Sequence, residues 1–446
     1  MTAGSPKDTA KRIVARLQKA GFAAFWVGGC VRDFLLGREP WDIDIATNAR
    51  PEQIEGLFKR TIAVGKKFGV IFVIENEHEF QVATFRSDED YQDGRRPQKV
   101  VFGDARADAL RRDFTINALF YDPISNIKHD WVGGQDDLQA KIIRTIGKPE
   151  ERFGEDHLRL LRAIRFAAQL NFEIEANTFT AVKKLARQIS LISAERIRDE
   201  LLKLFRPPHA ARGLDLLRDS GLMEHVLPEL TATVSCAQSP NYHPEGSVFN
   251  HIRLMLEQLP PDAPASLPWA AILHDIGKPP TASVDEATGA IHFYGHEKVG
   301  ADMARRILNR LRFPKKATDE IVACVRQHMQ FKDVKQMRKA TLRRLIMRET
   351  FPLEMQLHKL DCLGSHRSLE HFDFLVEQAK ELKKKPRIRP PLLTGNDLIA
   401  LGMKPGPGMG ALLHEIRDKQ LAEELKTKRA AMAWAKEQLK GKMPDL

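Results

Sequence analysis

Near Glu150 the chain changes character, and that change constrains its fold more than any other feature. From about residue 22 to 147, short β-rich stretches ("FAAFWV", "WDIDIA", "GVIFVI", "EFQVATFR", "KVVFG") alternate with helical ones ("VRDFLLG", "PEQIEGLFKR", "ALRRDFTINAL"), the pattern of an α/β or α+β unit. Beyond it the β signal fades, and "EDHLRLLRAIRFAAQL", "ANTFTAVKKLARQI", "SAERIRDELLKLF" and "ARGLDLLRDSGL" follow one another with helical spacing. A chain of 446 residues exceeds one ordinary core. The loop-like "VSCAQSPNYHPEGS" and the basic, proline-rich "KKKPRIRPPLLTG" supply further boundaries, giving segments 1–148, 149–233, 234–385 and 386–446. The first twenty residues are basic and mildly amphipathic and run directly into "AAFWVGG", so they read as a first structural helix.

Composition narrows the partner. No apolar run approaches the roughly 18–20 residues of a spanning helix, which gives no support to a membrane role. Cys30, Cys236, Cys324 and Cys362 stand alone, as suits a reducing, cytoplasmic setting. A net charge of +11 without a basic amphipathic anchor favours a polyanion, with nucleic acid first.

Two short stretches carry chemistry. In "WVGGCVRDFLLG" a strand ends in Gly28 and Gly29 and a helix opens with Arg32, a turn that lets backbone N–H groups approach phosphate oxygens. In "WDIDIATNAR", read as an extended strand, Asp42 and Asp44 share one face while Ile43 and Ile45 face the core. Two adjacent carboxylates need a cation or water between them, and Mg²⁺ takes one or two carboxylates plus substrate phosphates.

These residues, followed by "VATFRSDEDYQDGRRP", "RRDFTINALFYDP", "GGQDDL" and "EDHLRLLRAIRF", resemble the successive motifs of the class II tRNA nucleotidyltransferase and bacterial poly(A) polymerase family over at least residues 22–205. The resemblance implies an α+β, polymerase-β-type nucleotidyltransferase head, a helical neck carrying the base-selecting motif, and a helical body and tail that hold RNA. It implies triphosphate contacts at Gly28, Gly29 and Arg32, Mg²⁺ on the catalytic pair Asp42 and Asp44, and nucleotide contacts at Arg112, Asp113 and Asn117. Where many relatives place a glutamate before V-x-T-F-R, this chain has Gln81, an amide that cannot take a proton from an attacking hydroxyl. The family's mobile loop corresponds to "RSDEDYQDGRRP".

On one helix, Asp156, Arg159, Arg162 and Arg165 would share a stripe, with Glu155 and Arg159 four apart. Cytosine and adenine each offer an amino donor beside a ring-nitrogen acceptor, so the acceptor Asp156 and the donor Arg159 suit C and A and leave U and G unpaired. Arg162 and Arg165 would then serve phosphate or stacking contacts.

Downstream, His251, His274, Asp275 and Asp361 resemble the H…HD…D set of HD metal-dependent phosphohydrolases, with His296 and His328 available for a second metal position. Such ligands suit a transition metal. The tail from "LLTGNDLIALGMKPGPGMG" onward resembles the segment after the HD module in some bacterial CCA-adding enzymes, and would hold tRNA. The resemblance points to addition of CMP and AMP from CTP and ATP to a tRNA 3′ end. A poly(A) polymerase and an HD phosphohydrolase with an RNA-binding head are the alternatives, and oligomeric state is not legible.

Overall fold

The structure, a computed structural model, describes residues 5–40, 42–91, 97–239, 245–384, 390–422 and 424–440. Its internal contacts group the chain into two compact units, Met1–Thr231 with Arg310–Arg312, and Ala232–Asn309 with Phe313–Leu446.

The first unit opens with the helix Pro6–Lys19, whose N-cap Ser5 accepts from the Asp8 backbone N–H at 3.1 Å. Its fully buried Ala10, Ile13, Val14 and Leu17 recur at helical spacing, which is why this basic segment docks. A seven-stranded mixed sheet follows, built from β1 (Ala24–Val27), β2 (Ile45–Thr47), β3 (Thr61–Gly65), β4 (Val70–Glu75), β5 (His78–Thr84), β8 (Phe120–Asp122) and β9 (Ile127–His129), in the order β3-β4-β5-β2-β1-β8-β9. β6 (Arg86–Tyr91) and β7 (Pro97–Phe102) form a separate antiparallel ribbon. The stretch expected as a loop is therefore largely this ribbon, and residues 92–96 lie outside the described residues.

"ALRRDFTINAL" is not one helix. A helix covers Ala105–Leu110, and Thr115–Asn117 forms a separate 3-10 turn, because Phe114 is fully buried and bridges to Thr145. The "GGQDDL" motif holds that turn. Asp130 accepts from the N–H groups of Val132, Gly134 and Gln135, Asp137 accepts from Thr115 Oγ1 at 2.7 Å, and a Cβ on Gly134 would stand 2.3 Å from the Thr115 carbonyl oxygen.

The unit continues into the helices Pro149–Glu155, Leu158–Leu170, Ala176–Leu185, Ala194–Leu204 and Ala210–Asp219. The expected single stripe from Glu155 to Arg165 is interrupted: Asp156 has extended backbone, and the second helix starts at Leu158. Asp156 Oδ1 accepts from the Leu158 N–H at 3.1 Å, a side-chain bond that competes with helix continuation.

In the second unit the helix Ser266–Leu273 is central, with Leu267 through Leu273 all buried, and it delivers His274 and Asp275 at its end. Gly277 explains the glycine of "HDIGKP": a Cβ there would lie 2.2 Å from the His296 carbonyl oxygen and 2.6 Å from Gly300 N, so only glycine lets the helix His296–Arg310 approach. The tail helices Gly395–Ala400, Pro407–Leu421 and Lys428–Lys440 pack around Leu393, Leu398, Met409, Leu412, Ile416 and Leu425. Residues 385–389 of the basic linker before them lie outside the described residues.

Candidate active site in the head and metal centre in the body

A cavity of about 550 Å³ in the first unit is lined by Gly28, Gly29, Arg32, Asp44, Gln81, Arg112, Asp113, Asn117, Asp156, Arg159 and Arg162, among others. Asp42, Glu155 and Arg165 are not among its lining residues. β1 and β2 form one wall. The Val27 N–H donates to the Asp44 carbonyl oxygen at 3.0 Å, so the end of β1 and the D-x-D segment are tied side by side.

The two aspartates precede β2 rather than lying within it, yet the expected alternation survives, with Ile43 and Ile45 buried. Asp42 is exposed and Asp44 half-buried. Burial, and then the Asp42 charge, push the Asp44 carboxyl up from its ordinary 3.8 to about 6, with Arg112 opposing. A negative charge so resisted is what a bound divalent cation would relieve. Gln81 immediately precedes Val82, the residue of β5 paired with Ile45, so its amide also lines this cavity.

Gly28 has φ +78, and a Cβ on it would stand 2.8 Å from Arg112 Nη1. The glycine therefore serves both the turn and the close approach of that guanidinium. Arg32 is 8% exposed, donates from Nη1 to Asn117 Oδ1 at 2.6 Å and from Nε to Asp33 at 2.9 Å, and lies over the Phe166 ring. Asn117 in turn donates to Asp113 Oδ1 at 3.1 Å, and Arg162 donates to Asp113 Oδ2 at 2.7 Å from Nε and 2.6 Å from Nη2. Burial opposes ionisation of Asp113, but Arg162, Arg159 and Asn117 prevail and hold it at about 2.

Asp108 was not singled out in the sequence. It is 1% exposed and accepts from Arg111 at 2.6 Å and Arg112 at 3.0 Å, setting both guanidinium groups at the cavity wall. Its position three and four residues before the arginine pair was the available signal. Arg196 was also missed: it lines the cavity and donates to Asp156 Oδ2 at 2.7 Å from forty residues away. Arg159 donates to Glu155, to the Arg152 carbonyl at 2.9 Å and to the Arg111 carbonyl at 3.2 Å. Arg165 turns away, pairing with Glu200 and Gln169, which is why it does not reach the cavity.

In the second unit six side chains converge, but their grouping differs from the expected four plus two. His251, His274 and Asp361 form one set, and Asp275, His296 and His328 another, each with ligand atoms within 4.8 Å of one another. The sets touch where His274 Nε2 lies 3.1 Å from Asp275 Oδ2. His274, His296 and His328 each direct Nδ1 at the carbonyl three residues earlier, at 2.8, 2.7 and 2.7 Å. Those bonds assign the proton to Nδ1 and leave the Nε2 lone pairs facing the cluster, the arrangement a metal accepts. His251 sits between Glu245 at 2.9 Å and Asp361 at 3.0 Å. Burial would lower its pKa, but those carboxylates raise it to about 9. Burial likewise resists the charge on Asp275, yet His274 and Lys278 hold its carboxyl well below the usual range.

Residues 24–144 match the family model described as the poly A polymerase head domain, 171–233 a probable RNA and SrmB-binding site of polymerase A, and 246–365 the HD domain. A CCA-adding enzyme of Staphylococcus aureus is 44% identical over 212 residues, 47% of this chain and 53% of that protein. One from Geobacillus kaustophilus is 43% identical over 235 residues, 52% of this chain and 58% of that protein. The chain thus aligns with little more than half the length of these curated relatives. The crystal structure of the Bacillus stearothermophilus CCA-adding enzyme in complex with CTP matches with TM-score 0.76 and 26% identity over 98% of this chain and 99% of that one. A Thermotoga maritima CCA-adding enzyme shares the fold, with TM-score 0.59 and 18% identity over 98% of this chain and 97% of that one. Among the described residues no helix is long and apolar enough to cross a membrane.

Proposed function

We propose that this chain, which matches the poly A polymerase head domain and is similar to CCA-adding enzymes, transfers CMP and AMP from CTP and ATP to the 3′ end of tRNA and releases pyrophosphate. The observation that carries this reading is the convergence of Gly28, Gly29, Arg32, Asp44, Asp113 and Arg159 on one cavity. In this reading residues 1–148 are the catalytic head, 149–233 the neck, 234–385 the HD body and 386–446 the tail that holds tRNA, in a cytoplasmic enzyme.

Asp42 and Asp44 would hold Mg²⁺, which, when bound, offsets triphosphate charge and lowers the pKa of the RNA 3′-hydroxyl. Gly29 presents a backbone N–H to phosphate oxygens, Gly28, whose own N–H is given to the Leu119 carbonyl at 3.1 Å, supplies the turn beside the triphosphate, and Arg32 adds a fixed guanidinium. Asp113 accepts from the ribose. Asp156 takes the base amino group and Arg159 donates to the ring nitrogen. Gln81 cannot act as a base, so it orients rather than deprotonates.

For the body we propose a metal-dependent phosphohydrolase acting on nucleotide 2′,3′-cyclic phosphates. The Nδ1-tethered imidazoles support it, since their Nε2 atoms suit a transition metal better than Mg²⁺. Opening of a 2′,3′-cyclic nucleotide to its 2′- or 3′-monophosphate, measured in wild type and Asp275→Ala, checks it, and unchanged turnover in the variant would remove it.

The test of the main reading offers tRNA lacking its 3′ CCA single nucleotides and mixtures, and sizes the product. Three additions that need both CTP and ATP are expected. Long tails from ATP alone would instead assign the chain to poly(A) addition.

A further inference from the structure

The carboxylate of Asp156 is held between two donors, the Leu158 N–H at 3.1 Å on Oδ1 and Arg196 Nη2 at 2.7 Å on Oδ2. Arg196 lines the same cavity, and its Nη1 is buried without a hydrogen-bond partner among the described residues. Asp156 is therefore the anchor of this guanidinium. One turn further along the helix Ala194–Leu204, Glu200 clasps Arg165 of the helix Leu158–Leu170. Two ion pairs of opposite polarity thus tie this helix, one to the Asp156 turn and one to the helix that follows it, but only the first ends in the cavity.

We propose that Arg196 is a specificity-determining positioning residue: by fixing Asp156 as a stationary acceptor, it admits bases that present an amino group and rejects those that present a carbonyl. The inference rests on the nucleotidyl-transfer reading. The physical reason lies in how rejection works. A wrong base is disfavoured only if its carbonyl meets an acceptor that cannot move, leaving both groups unpaired and dry. An Asp156 hinged on the Leu158 N–H alone can rotate aside and admit a water, which hydrogen-bonds to an amino group or a carbonyl alike. Loss of Arg196 thus falls on discrimination, where a merely structural tie would weaken all nucleotides together.

The experiment compares wild type, Arg196→Met, Arg196→Lys and Glu200→Gln for binding and incorporation of CTP, ATP, UTP and GTP, with a thermal melt of each. Arg196→Met is expected to lower the CTP-over-UTP and ATP-over-GTP ratios by about tenfold or more, the order set by one unpaired buried group. Arg196→Lys should recover most of the ratio. Glu200→Gln should lower the melting temperature while leaving the ratios within about twofold, because its pair ends outside the cavity. Equal losses for all four nucleotides in Arg196→Met, or an equal change of ratio in Glu200→Gln, would overturn the proposal. A wild type that incorporates none of the four nucleotides would overturn the nucleotidyl-transfer reading itself, whatever the variants do.

Discussion

Replacing Asp44 by Asn should stabilise the metal-free protein while destroying its activity, and the structure sets the size of the first effect. Burial and Asp42 raise the Asp44 carboxyl from its ordinary 3.8 to about 6. Between those values the folded protein binds a proton that the unfolded chain has released, so stability falls as pH rises through this window and the loss is complete above about pH 6. The displacement corresponds to at most about 3 kcal/mol. Asp44 is half-buried and faces a cavity, so solvent screening reduces this to about 1–2 kcal/mol. In chelator at pH 7.5, Asp44→Asn should therefore melt roughly 2–6 °C above wild type, as expected for a unit of this size. At pH 4 most of the gain should vanish. Nucleotide addition should fall by about a thousandfold or more, because a neutral amide does not replace a carboxylate on a divalent ion. Thermal melts at the two pH values, paired with primer extension, test both halves. A variant less stable than wild type at pH 7.5, or equally stabilised at both pH values, would refute the electrostatic reasoning.

Asp108→Asn leaves Arg111 and Arg112 without their shared buried carboxylate and should cost about 3–5 kcal/mol in urea unfolding, with nucleotide affinity lost in parallel. Gly28→Ala forces a Cβ against Arg112 from a backbone at φ +78, so isothermal titration should show at least about tenfold weaker triphosphate binding with little change in Mg²⁺ affinity. Asp275→Ala should strip metal from the body, read by elemental analysis, while tRNA extension by the head continues. His251 holds its proton up to about pH 9, so that contribution to stability is full below about pH 6.5 and lost as pH rises through 9. A metal entering beside Asp361 must expel this proton. Apparent metal affinity should climb about tenfold per pH unit below 9, with one proton released in calorimetry across buffers; no proton release would remove the argument.

Much of this protein is local and so was readable from the order of its residues. The mixed head giving way to helices near Glu150, the glycine turn at Gly28 and the apolar stripe of the first helix all follow from periodicity and backbone permissiveness. Local pattern pointed to Arg32 and Arg159, and the family resemblance to Asp113 and Asn117, all of which the fold gathers around one cavity. Tertiary structure decided the rest. It ended the helix at Asp156, because a side-chain bond to Leu158 and the ion pair to Arg196 compete with helix continuation, and no local pattern reports a partner forty residues away. It turned Arg165 toward Glu200 and out of the cavity. It divided the body's six candidate ligands so that Asp275 stands with His296, whose helix Gly277 lets approach, and with His328 from the end of the helix Lys315–Gln327. Residue types name the chemistry a chain can perform, but which side chains share a charge or a ligand depends on distances that only long-range packing sets.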